Sequence, residues 1–127
     1  MELRVAKELL HIKHWLDIAE SIVAKGSDAY HADEVAQEVG DSLMIKLGEA
    51  AKTLAARGLK APNGVNWSDA AKNREKLAHH YSITDRAVTW QTLSVSLPVW
   101  ADALGPLFSE AAATLDHDPD SDINTHN

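Results

Sequence analysis

Residues 33–57 read DEVAQEVGDSLMIKLGEAAKTLAAR. Val35, Val39, Leu43, Leu47, Ala50, Ala51 and Leu54 recur at steps of three and four, which is the period of one apolar stripe on an α-helix and not the alternation of a strand. Gly58 closes the pattern as a C-cap. The spacing therefore predicts one long helix from about Asp33 to Arg57. Gly40 and Gly48 lie inside it, each costing roughly 1 kcal/mol relative to Ala, and a close crossing by another helix is a reason for bearing that cost.

The same period extends outward in both directions. Upstream, Leu9, Ile12, Leu16, Ala19 and Val23 form a stripe widened by Trp15 and Ile22, ending near Lys25-Gly26. Downstream, Ala61-Pro62-Asn63-Gly64 is a turn by composition. A shorter helix should then start after Asn66, where Asn66 and Asp69 have capping-box spacing, and carry Trp67, Ala71, Arg74, Ala78 and Tyr81. A fourth should begin near Thr84-Asp85 with Val88, Leu93 and Val95, kinked around Pro98. The last has Pro106 near its first turn and ends at about Leu115. No segment sustains period-two alternation, so the predicted class is all-α, an antiparallel bundle of four to five helices. Residues 1–115 read as one domain, and the polar, acidic residues 116–127 as a disordered tail.

Composition narrows the chemistry. The 127 residues include no cysteine, which excludes disulfides, thiolate nucleophiles and cysteine-based zinc sites. The N-terminus lacks the apolar core of a signal peptide, and no run approaches the roughly 20 apolar residues of a membrane span. These features predict a soluble cytoplasmic protein with no membrane association. The net charge of −7 opposes a broad nucleic-acid surface. Its distribution weakens that objection: the first 115 residues hold 12 Lys/Arg against 15 Asp/Glu, and residues 46–86 hold eight Lys/Arg against four Asp/Glu. A small basic patch is compatible with these numbers.

Residues 72–85, KNREKLAHHYSITD, are where basic, imidazole and phenol groups converge. Cleaving RNA without a metal requires a base for the 2′-hydroxyl proton, an acid for the leaving 5′-oxygen and a cation for the phosphorane. His79 suits either proton-transfer role, Arg74 suits the phosphate oxygens, and Tyr81 offers a hydroxyl. Helix geometry complicates the set. At about 100° per residue, Arg74 and Tyr81 nearly eclipse, whereas His79 diverges from Arg74 by about 140° and His80 by about 120° the other way. Either the helix loosens near His79, or two copies of the segment face each other in a dimer.

Arg74, four residues, His79, one residue and Tyr81 resemble the Arg-x4-His-x-Tyr signature of HepT-type proteins of the HEPN superfamily. Leu47-Gly48-Glu49-Ala50-Ala51 is similar to that family's Gly-Glu-Ala stretch, and Val65-Asn66-Trp67 to its Trp ahead of the motif. Asp85, Trp90 and Leu97-Pro98 also fall where the family has an Asp, a Trp and a Leu-Pro pair. The resemblance spans about residues 5–104. It implies a homodimer with two Arg-His motifs in a composite cleft, acting as a metal-independent endoribonuclease toxin with no cofactor. The product ends would be a 2′,3′-cyclic phosphate and a 5′-hydroxyl. The implied partner is a nucleotidyltransferase antitoxin, which in some members transfers AMP to the motif tyrosine, here Tyr81. Glu75 departs from the family's small polar residue after the Arg, where a carboxylate would either weaken RNA binding or tune the histidine upward; Asn73 precedes the Arg. Glu49, Asn73, Glu75 and His80 are the candidates for supporting the catalytic residues.

Plainer roles compete for the same side chains. A histidine pair at a helix end can cap carbonyls, and Arg74 can pair with Asp69 or Glu75 as a surface ion pair of small value. His11 and His14 lack a third metal ligand at helical spacing. His31 falls in a loop between helices by this reading, and His117 and His126 in the tail. Of the four tryptophans, Trp15 and Trp100 are the candidates for an interface. If the motif does not cut RNA, the alternative is a non-catalytic nucleotide- or partner-binding subunit of a nucleotidyltransferase complex.

Overall fold

The computed structural model describes residues 1–72 and 85–117, and among these every regular element is helical. The elements are α1 (Leu3–Ala24), α2 (Ser27–Ala32), α3 (Glu34–Ala56), a helical stretch over residues 67–72, α4 (Arg86–Gln91), a π turn (Thr92–Ser96) and α5 (Leu97–Asp116). The carboxy-terminal half of α1, Leu16 to Val23, lies beside Leu93 to Asp102. Because α5 runs on from there along α1, the two helices are antiparallel, with α3 packed on α1 as the third partner. The antiparallel helical bundle expected from the sequence is what the chain forms. Leu9, Ile12, Leu16 and Ala19 of α1 are buried, as their period requires, against Leu43, Leu47, Ala51 and Leu54 of α3 and Leu97, Leu104 and Phe108 of α5.

Several local expectations are corrected. Residues 27–32, read as a loop carrying His31, form α2. Gly26, at φ +93°, turns the chain out of α1, and the single fully buried anchor Tyr30 holds a helix too short to show a period. Val35 and Val39, assigned to the buried face of α3, are exposed, Val35 by 71%. The neighbour of that first turn is the six-residue α2, joined to it by Gln37 Nε2 donating to the Tyr30 and His31 carbonyls, and it leaves Val35 and Val39 uncovered.

Pro98 and Pro106 do not divide residues 86–116 into helices that break at either proline. The π turn delivers the Leu97 N–H to the Thr92 carbonyl, five residues back, which accommodates the proline that follows in the first turn of α5. Pro106 sits inside α5, not at its start. Its cost of roughly 3 kcal/mol is offset by the buried stripe Leu97, Trp100, Leu104, Phe108 and Ala111. Leu93 and Leu97, four residues apart, face the core, while Val88 and Val95, seven residues apart, share the outward face. Trp100 is likewise a core residue and not an interface: it is 8% exposed and meets Trp67 edge-on at 5.5 Å. Gly40 is the close crossing its position suggested, since a Cβ there would stand 3.1 Å from Leu93 Cδ1. The tail residues 118–127 lie outside the described residues.

Candidate active site

Arg74, His79 and Tyr81, with Asn73, Glu75 and His80, lie outside the described residues; what the structure describes is the frame on either side of them. On the entry side Trp67 is anchored twice. Its Nε1–H donates to the Leu59 carbonyl at 3.1 Å and its ring meets Trp100. Asn66 Oδ1 accepts the Asp69 N–H at 3.1 Å, so the capping spacing starts a helix at that point. On the exit side Asp85 Oδ1 accepts the Ala87 N–H at 2.9 Å and caps α4. Glu49, on the exposed side of α3, lies between buried Gly48 and Ala50 and is itself engaged.

Directly after that cap lies a buried polar cluster. Arg86 Nη1 donates to both carboxylate oxygens of Asp41 at 2.8 Å, with the Asp41 side chain 3% and the Arg86 side chain 26% exposed. Burial by itself would lower the Arg86 pKa. The hydrogen bond and charge of Asp41, joined by Tyr30, outweigh it and hold the guanidinium above its ordinary value. Next to the pair, Thr89 Oγ1 donates its one proton to the Arg86 carbonyl at 3.1 Å, so the Tyr30 hydroxyl, 2.6 Å away, donates to Thr89. Four side chains from α2, α3 and α4 thus fix the chain one residue after the Asp85 cap. Tyr30→Phe is expected to lower stability by about 1 kcal/mol, the net value of one internal hydrogen bond, measured by urea unfolding. A loss below about 0.3 kcal/mol would show that the Thr89 contact contributes nothing.

Sequence reasoning missed Asp41 and Arg86. The available signal was an acid at position 41 on the stripe that continues through Met44, Leu47 and Ala51, where an unpaired carboxylate would be too costly to bury. The partner 45 residues away carries no local signal. The histidines among the described residues are peripheral. His11 and His14 are exposed on α1, His11 stacking at 5.9 Å on half-buried Trp15, and His117 is the exposed C-cap of α5. His31, on α2, holds its Nδ1 2.8 Å from the Ser27 carbonyl. Among the described residues no group of three or more His, Asp or Glu is placed to hold a metal ion, and no helix is long and apolar enough to cross a membrane.

Comparison with known proteins gives one family. No curated protein and no solved structure matches the chain. The family model described as "Ribonuclease HepT-like" matches residues 12–106. That span covers most of α1, all of α2, α3 and α4, the first half of α5 and the whole of residues 72–85. The chain belongs to the HepT-like ribonuclease family.

Proposed function

We propose that this chain is a metal-independent endoribonuclease toxin that cuts RNA in the cytoplasm through Arg74 and His79. The observation that carries this reading is that the family match over residues 12–106 encloses Arg74-x4-His79-x-Tyr81 at the signature spacing. His79 takes the 2′-hydroxyl proton or returns one to the leaving 5′-oxygen, Arg74 neutralises the phosphorane, and Tyr81 donates a hydrogen bond. A homodimer supplies two copies of the motif to one cleft, which resolves the angular divergence of Arg74 and His79 on a straight helix. A nucleotidyltransferase antitoxin neutralises the toxin, with AMP on Tyr81 blocking phosphate access by bulk and charge.

The test is purified, partner-free protein incubated with total cellular RNA in EDTA. The expected products carry 2′,3′-cyclic phosphate and 5′-hydroxyl ends and are absent with Arg74→Ala. A second reading, a nucleotide- or partner-binding subunit without cleavage, is favoured by the net charge of −7 and by Glu75 beside Arg74. Intact RNA, from protein shown to be folded, dimeric and unmodified at Tyr81, would select it.

A further inference from the structure

Between α3, the turn at Gly64, the helical stretch 67–72 and the start of α5 lies a cavity of about 430 Å³, within the size range of small-ligand sites. Its walls are apolar and include Met44, Leu47, Val99 and Trp100. Gly64 forms part of its rim at φ +92°, where a Cβ would stand 3.2 Å from Val99 Cγ1. Four polar residues share the described lining: Asn66, Asp69, Thr92 and Ser96, the last two from the π turn.

Part of the hydrogen-bonding capacity of this lining has no partner among the described residues. The two tryptophans that meet edge-on differ: Trp67 donates its N–H to a carbonyl, whereas the Trp100 N–H, on a side chain more than nine-tenths buried, has no acceptor among the described residues. Asn66 uses its oxygen to cap Asp69, leaving its Nδ2 donors unused, and the Asp69 side chain has no cation beside it among the described residues. A buried donor without an acceptor is costly unless a ligand or water satisfies it.

The chemistry of the lining selects the ligand. The described lining residues offer apolar walls, hydrogen-bond donors and one carboxylate, a set that suits a neutral ring with both donors and acceptors on its edge. Single-stranded RNA is recognised through such rings, unstacked and placed against aromatic side chains. A carboxylate prefers the base that presents two adjacent N–H donors, which is guanine through N1–H and N2–H, and its acceptors then remain for the Trp100 and Asn66 donors. We propose that this cavity is a base subsite that receives an unstacked guanine of the RNA substrate. The proposal rests on the ribonuclease reading above, and it places base selection two residues ahead of the motif segment, at Ala70.

The experiment is titration of the full chain with guanosine, adenosine, cytidine and uridine, following the indole N–H resonance of Trp100, assigned with Trp100→Phe. Guanosine should shift that resonance in a saturable way and bind at least tenfold more tightly than the other three. Asp69→Asn should remove most of that preference, and Ala70→Phe should abolish binding by filling the cavity. Circular dichroism checks the folding of each variant, and the exposed Asp69→Asn decides alone if Ala70→Phe does not fold. Absence of binding by all four nucleosides, or equal guanosine binding with and without the Asp69 carboxylate, overturns the assignment. Cutting of RNA by the same preparations separates the two readings. Cleavage without guanosine binding removes the subsite and leaves the ribonuclease. Guanosine binding with intact RNA removes the ribonuclease, and with it the cavity's assignment to an RNA substrate.

Discussion

Replacing His79 with alanine is expected to lower RNA cleavage by about 10²- to 10⁴-fold, the span that a positioned acid or base contributes. Alanine neither accepts the 2′-hydroxyl proton nor supplies one to the 5′-oxygen, and water in its place is unpositioned. Arg74 still binds the phosphate in this variant, so RNA affinity should change far less than rate. Single-turnover cleavage of an end-labelled RNA in EDTA, beside a filter-binding measurement, separates the two. Expression without the partner should arrest growth, and His79→Ala should relieve the arrest. A variant keeping a third or more of the wild-type rate would remove His79 from the chemistry and direct attention to His80.

The second large effect is on stability. Asp41→Ala is expected to cost about 3 kcal/mol, the lower end of the range for breaking a buried ion pair. The estimate is held there because the Arg86 side chain, 26% exposed, partly rehydrates once its partner is gone. Urea unfolding should show a lower midpoint with an unchanged slope. The double variant Asp41→Leu with Arg86→Met should recover most of the loss, since replacing both charges with apolar groups of similar volume removes the desolvation cost along with the attraction. If Asp41→Ala costs less than about 0.5 kcal/mol, the pair contributes nothing to holding the chain after residue 85.

The helical class and the course of α1 and α3 were legible because their stripes continue for about four turns or more, long enough for the period to show. Periodicity misplaced what depends on neighbours. Val35 and Val39 continue the α3 stripe in sequence, yet the element beside them is only six residues long. Val88 and Val95, five residues before and two residues after the buried Leu93, lie on the other side of the helix from it and face out, and nothing in Thr92–Ser96 announces the π turn except the proline two residues later. Pro106 reads as a helix start by its preference for first turns, and the buried stripe on either side of it overrides that preference.

For the candidate site, the sequence offers residue types at a spacing in residues 72–85, and the family match encloses that segment. Its supports were not. Asp41 and Arg86 stand 45 residues apart, and the cavity joins Met44, Asn66, Asp69 and Trp100 from three stretches of chain. Local order, meaning helix period, caps at Asn66 and Asp85 and the motif spacing, comes from interactions between residues a few positions apart and is therefore written along the chain. The pairing of Asp41 with Arg86, the burial of Trp100 and the shape of the cavity arise only when helices distant in sequence exclude water from one another, because that exclusion makes an unpaired charge or donor costly and selects its partner.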